Sequence, residues 1–386
     1  MDRRRFIKLT AAGSAALLVS GPLAGCAEGP AAALEGWQGP PPDERDIRLR
    51  VLAYAILAPN PHNKQPWVVD LTGPESLDLY VDRDRLLPET DPPFRQIHIG
   101  QGTFLENLDL TARQLGYRAE IAYFPRGMYA NTAVEAKPVA AVRLLADPAA
   151  ARDPLFDHIL TRQSNKRVYD EAPVTAAEIA ALEAAFGNPG LRLVITAEAA
   201  RVDRLAAFME RAMEIETRSP AREAETLAMF RFDDSEIERH RDGFGIAQSG
   251  VTGLKRRLAE TFFVTRERAE APGSDFGRQA VRLTADQARS AAAYGWILSE
   301  TNTRLDQVLA GRAYERLNLA ATGLGLAQHP MSQILQEYPD MAGLRRAFLA
   351  YLGVPEGRTV QMLFRLGRAE PVPHTPRRRL DAIVRS

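Results

Sequence analysis

One cysteine, Cys26, occurs in 386 residues, so no intrachain disulfide can form. Histidine is nearly as scarce: six, at 62, 98, 158, 240, 329 and 374, with no metal-ligand spacing such as HExxH. A metal site is therefore not expected. Excess charge of either sign is absent, with Lys+Arg and Asp+Glu both at 49, so nothing draws the chain to nucleic acid. Eighteen consecutive apolar residues occur nowhere, which excludes an ordinary spanning helix. What remains, 45% hydrophobic and 25% charged, is the composition of a large globular protein.

The N-terminus is different. Met1-Asp2-Arg3-Arg4-Arg5-Phe6-Ile7-Lys8 resembles a twin-arginine export signal, with a basic start, a short weakly apolar stretch from Thr10 to Ser20, and a break at Gly21-Pro22. Leu23-Ala24-Gly25-Cys26 resembles a lipobox, which implies acylation of Cys26 and attachment to a membrane surface. Residues 1–26 thus read as a signal, and 27–45, with Pro30, Pro40, Pro41 and Pro42, as a flexible tether.

Two cycles of helix and strand follow. In the first, 46–150, a helix over 46–57 precedes strands at 67–71 and 77–81, a helix over 103–115, and strands at 118–124 and 139–145. The second, 151–386, has helices at 153–162, 175–186 and 199–217, a strand at 191–196, a strand at 291–298, a helix over 305–326 and a strand at 360–366. Between them, 218–280 is rich in charge and aromatics and reads as an arm or lid of helical turns. Helices with separated strands predict an α+β body of two related halves.

Four segments could carry chemistry. Pro61-His62-Asn63-Lys64-Gln65-Pro66-Trp67 leads into a strand, and its two amides between prolines suit a flat heterocycle, although such a loop alone is commonly only a turn. Arg162-Gln163-Ser164-Asn165-Lys166-Arg167, at the end of a helix, could cradle a phosphate or be a solvated basic turn. Gly323 to Ser332 ends a long apolar helix, so its glycines read as a helix stop. It and Gly100-Gln101-Gly102 both lack the third glycine of a dinucleotide fingerprint. Pro376-Arg377-Arg378-Arg379 is otherwise a basic tail.

Together these segments resemble the nitroreductase-like flavoprotein superfamily, in its fused, Acg-like branch. The resemblance implies a pseudo-dimer of two halves of mixed or antiparallel sheet flanked by helices, binding FMN. It assigns Asn63, Gln65 and Trp67 to the loop that contacts the flavin ring, and Gln328 and Met331 to the loop beside it. It assigns Arg162 and Ser164 to the phosphate, with Lys166 or Arg167 in the second arginine role and Arg377 and Arg378 reaching the same group. Each motif occurs once, so one flavin site is expected where a homodimer has two. The resemblance implies an oxidoreductase acting on a small quinone- or nitro-like acceptor, or exchanging electrons with membrane quinols. Alternatives are a flavin-holding protein without turnover and a surface lipoprotein that has lost the cofactor. No general acid or base is assigned.

Overall fold

A computed structural model describes residues 29–188 and 190–385. The export signal and Cys26 lie outside the described residues. Among the described residues, twelve α-helices and nine strands form an α+β body with two sheets. The first half comprises α1 (Ala31–Leu34), α2 (Ile47–Ala55), β1 (Trp67–Gly73), β2 (Ser76–Val81), α3 (Arg95–Gln114), β3 (Tyr117–Tyr123) and β4 (Ala140–Ala146). The second begins with α4 (Ala176–Phe186), β5 (Leu191–Thr196) and α5 (Ala199–Glu216). An arm then carries α6 (Pro220–Met229), α7 (Asp234–His240), α8 (Gly253–Phe262), α9 (Arg266–Glu270) and α10 (Phe276–Arg289). The chain closes with β6 (Ala293–Ser299), α11 (Arg304–Gly323), β7 (Ala327–Pro330), α12 (Ala342–Leu352), β8 (Thr359–Gly367) and β9 (Val384–Arg385).

The two halves share one topology. The first sheet has the order β3-β4-β2-β1-β9 and the second, from its other edge, β7-β8-β6-β5. All pairings are antiparallel except β1 with β9, in which Val69 faces Val384. The C-terminus of the second half therefore completes the sheet of the first. Strand β6 is buried along its whole length, which fits its near-continuous apolar run.

Helices α3 and α11 join the halves, and they repeat each other in sequence. Arg95, Gly102, Glu106, Leu108, Leu110 and Ala112 recur at the same spacing as Arg304, Gly311, Glu315, Leu317, Leu319 and Ala321. The glycines mark the crossing. A Cβ on Gly102 would lie 1.9 Å from the Val308 carbonyl oxygen, and one on Gly311 would lie 1.9 Å from that of Ile99. The first residue of each helix reaches into the opposite half. Arg95 donates to the carbonyls of Gln361 (2.6 Å) and Leu335 (2.9 Å), and Arg304 to those of Pro93 (2.8 Å) and Ala133 (3.0 Å).

Three segments depart from the sequence reading. Residues 27–45 read as a tether, yet α1 and the turn Glu35–Gln38 pack onto the body, because Ala33 and Trp37 find apolar burial there. Helix α3 starts at Arg95, not near 103, because the Asp91 carboxylate accepts from the Ile97 N–H at 2.9 Å and stabilises an earlier first turn. Gly100-Gln101-Gly102 is therefore helix interior, and Gly102 is a close-packing residue. Over 153–162 only a single 3₁₀ turn forms, Pro154–His158.

Gly102→Ala and Gly311→Ala are each expected to cost at least about 2 kcal/mol, since backbone on both sides cannot give way. Gly343→Ala in α12, where a Cβ meets nothing within 4 Å, should be neutral or stabilising. Denaturant midpoints of the three variants check this; equal shifts would contradict the crossing.

Candidate functional site

The loop Pro61–Trp67 is held in an uncommon backbone state. His62, Asn63 and Gln65 have φ of 51°, 51° and 52°, in the left-handed region that non-glycine residues seldom adopt. Strain of this kind persists only where surroundings fix it, and it gathers at functional sites. Here the surroundings are the arm and the C-terminal tail. Asn63 Nδ2 donates to the carbonyls of Gly243 (2.9 Å) and Pro376 (3.0 Å). Gln65 Nε2 donates to the Arg241 carbonyl (2.9 Å), and its Oε1 accepts from the Arg378 N–H (2.7 Å). His62 is half-buried beside Phe244, with ring centroids 5.8 Å apart; desolvation, then Lys166 and Lys64, push its imidazole down to about 3.

Beneath the loop, two arginines converge on one oxygen. Arg162 Nη2 and Arg377 Nη2 donate to the Leu57 carbonyl at 2.9 and 3.0 Å. Both arginines are 3% exposed. Arg377 Nη1 also donates to Asn63 Oδ1 (2.9 Å) and Thr375 Oγ1 (2.5 Å), which ties the pair to the loop. Glu315 of α11 lies fully buried with Oε1 3.5 Å from Arg162 Nε. Burial pushes the Glu315 carboxyl up to about 7, against the pull of Arg162. Burial, then Arg162, push the Arg377 guanidinium well below its ordinary value. Among the described residues, Arg162 Nε and Nη1, Arg377 Nε and both oxygens of Glu315 have no hydrogen-bond partner.

Trp37 covers this pair. Its indole lies 4.7 Å from the Arg377 guanidinium carbon and 5.8 Å from that of Arg162, and it stacks on His374 at 3.8 Å and 12°. Its Nε1 donates to the Thr375 carbonyl at 2.9 Å. His374 is pushed down to about 3 by burial and by the two arginines, so it is neutral at physiological pH. Lys166 Nζ sits 3.8 Å from the Phe244 ring centroid, and burial lowers its ammonium to about 8. Ser164 is half-buried in the same turn, and Arg167 lies against Gly250 of the arm.

The other sequence candidates fall elsewhere. Trp67 is a core residue, donating to the Gly100 carbonyl (3.3 Å) and packing on Phe104. Met331 is 1% exposed in the apolar cluster beneath α5 and α12. Arg378 reaches no phosphate cradle. It binds the carbonyls of Gln65 (3.0 Å) and Ala382 (2.6 Å) and the Asp82 carboxylate (3.2 Å), which clamps the loop to the C-terminal tail. Gln328 is 1% exposed, and neither side-chain atom has a partner. Trp37, His374, Glu315, Phe244 and Gly243 were not picked out in the sequence. Only the α3/α11 repeat, which aligns Glu315 with Glu106, could have flagged one of them.

Together these contacts define the fit of a flavin mononucleotide. The phosphate end fits, because two desolvated guanidiniums offer Arg162 Nη1 and Arg377 Nε without partners among the described residues. The ring end is filled by protein. The side-chain N–H groups of Asn63 and Gln65 are engaged, and the cavity lined by Phe244, Gln248, His374 and Pro376 holds only about 20 Å³, against the several hundred of a typical cofactor pocket. Room for a ring requires the Trp37–His374 stack and the arm to shift.

No protein-family model matches the chain. Over 354 residues it is 27% identical to the Mycobacterium tuberculosis protein Rv3131, which carries a provisional NAD(P)H nitroreductase name; the match covers 89% of this chain and 92% of that protein. The Acg protein of the same organism, similarly named, is 24% identical over 361 residues, 88% of this chain and 95% of its own. Among solved structures, the FMN-dependent nitroreductase NfnB of Mycobacterium smegmatis in complex with NADPH aligns with 58% of this chain and 94% of its own, at 22% identity and a TM-score of 0.37. A Bacteroides fragilis nitroreductase with bound FMN covers 57% and 90% at 18% identity and a TM-score of 0.33.

The sequence places Arg162 in a polar run, where truncation would spare the fold. The structure buries it, so Arg162→Ala should cost about 3 kcal/mol by leaving Glu315 without its partner, and Glu315→Gln in that background should recover part of it. The carboxyl of Glu315 is raised from 4.5 to about 7, so the stability of its protonated form is complete below about 4.5 and is lost as pH rises through about 7. Glu315→Gln should therefore gain stability relative to the parent across that window. Melting temperatures against pH check this, and a pH-independent difference would contradict it.

Proposed function

We propose that the chain is an FMN-dependent oxidoreductase of nitroreductase type, with one flavin site per chain. The observation that carries this reading is the convergence of Arg162 and Arg377 on the Leu57 carbonyl, with unpartnered N–H groups beside a strained Asn63–Gln65 loop. The nitroreductase names of the mycobacterial relatives support it. When bound, FMN supplies the electron and hydride chemistry. The chain's own part is to hold and shield it. Arg162 and Arg377 bind the phosphate, Lys166 supplies a cation on the arm side against Phe244, and the Asn63–Gln65 loop and Gln328 flank the ring. Phe244 and the arm exclude water. The position equivalent to Glu315 in the first half, Glu106, is already closed by Arg312 (2.6 Å) and Arg316 (3.0 Å), which supports a single site.

The relatives' names favour a nicotinamide donor and a small nitro-like acceptor. The export signal favours membrane quinols as redox partners. Membrane quinols, rather than NAD(P)H, which is scarce outside the cytoplasm, fit a chain exported by the twin-arginine route and acylated on Cys26 as a cell-envelope lipoprotein. A second reading, FMN holding without turnover, is favoured by the hydrogen bonds from the loop to the arm carbonyls of Arg241 and Gly243, which keep the ring site closed.

Reconstitution should give about one FMN per chain, and Trp37→Ala should take up FMN faster than the parent because the covering ring is gone. Flavin absorbance measures both. A ratio near two, or slower uptake by Trp37→Ala, would contradict the assignment. Reduction followed by reoxidation with a quinone separates the enzyme from the holder. In cells, Cys26→Ser should leave the membrane fraction while Arg3→Lys with Arg4→Lys blocks export; unchanged fractionation would sink the localisation.

A further inference from the structure

Helix α8 is built inside out. Its charged residues Arg256 and Glu260 face inward, with Arg256 donating to Glu260 (2.7 Å) and to Asp234 (2.5 Å). Its apolar residues Leu254, Leu258 and Phe262, spaced i, i+4 and i+8, are 73%, 47% and 55% exposed. Phe263 extends the stripe at 51%. A helix on a water-facing surface does the reverse, burying its apolar stripe. Lys255 and Arg257, both exposed, flank the stripe. Apolar residues on one face with cations beside them are the pattern of a helix lying in a membrane interface.

The N-terminus supplies an independent observation. The described chain starts at Gly29, and Gly29 and Leu34 line the same small cavity as Ile237 of α7 and Arg256 and Glu260 of α8. Cys26 precedes Gly29 by three residues, a reach of about 10 Å at full extension. Acyl chains on Cys26 would thus enter a bilayer beside α8. Among the described residues no helix is long and apolar enough to cross a membrane. With ten residues, α8 is about 15 Å long and suits the interface.

We propose that α8 is a second membrane contact, its Leu254–Leu258–Phe262 stripe entering the interface of an anionic bilayer with Lys255 and Arg257 at headgroup level. The proposal rests on acylation of Cys26. It presses the arm, whose residues 241 and 243 hold the Asn63–Gln65 loop, against the membrane surface.

The test uses the mature acylated chain carrying Leu258→Cys, labelled with a polarity-sensitive fluorophore, on vesicles of phosphatidylethanolamine and phosphatidylglycerol. Acylated Cys26 has no thiol to react. The chain should float with the vesicles, and the label should shift to the blue and be quenched by brominated lipid. Adding Leu254→Ser and Phe262→Ser should reverse the shift while flotation and melting temperature stay unchanged. A chain that floats with a water-like label overturns this proposal alone. A chain that fails to float overturns the acylation reading and this proposal with it. A blue shift that grows with protein concentration without vesicles assigns the stripe to a second copy, and overturns the membrane contact.

Discussion

The Leu57 carbonyl, accepting from Arg162 and Arg377 at once, is the contact on which the rest of the site depends. Two guanidiniums side by side out of water repel each other, and each carries a desolvation cost of several kcal/mol. The surroundings offset this from every part of the chain: Leu57 after α2, Glu315 on α11, Asn63 from the loop, and the Trp37 ring over both cations. Removing the Leu57, Asn63 or Trp37 contact leaves buried cations short of partners, and removing Arg162 does the same to Glu315. The N–H groups that still lack acceptors make a dianionic phosphate the natural completion of the cluster.

That knot explains why the halves are fused so closely. Arg162 opens the second half, Arg377 lies in its C-terminal tail, and Leu57 belongs to the first. Strand β9 then pairs with β1, so the tail bearing Arg377 is fixed to the first sheet. The glycine crossing of α3 and α11 sets the distance at which Glu315 meets Arg162. Trp37 makes the site conditional, because the ring that shields the arginines occupies space a flavin would need.

Much of this was legible in the sequence. Strands at 67–71, 77–81, 118–124 and 360–366 followed from short apolar runs, and Arg162, Asn63 and Arg377 meet around the Leu57 carbonyl. The misses share a cause. Trp67 and Met331 belong to the motifs, but Trp67 opens strand β1 facing Phe104 and Met331 follows β7 into the second apolar cluster. Arg378 follows Arg377 and so points the other way, to Asp82. The partners Trp37, Glu315, His374 and Gly243 lie far along the chain from the residues they touch, and local pattern carries no sign of contacts made at such separation. Residues 31–38 look like linker because proline and glycine surround them, yet one aromatic ring with a slot to fill is enough to dock them.

The central claim is that the Arg162–Arg377 pair is a phosphate site at the seam of the halves. Parallel titration of FMN and riboflavin into the parent and Arg377→Gln tests it most directly. The account predicts that the parent prefers FMN strongly and that Arg377→Gln weakens FMN by about 30-fold or more while riboflavin binding barely changes. Equal affinity of the parent for FMN and riboflavin, or an equal loss of both in the variant, would contradict it.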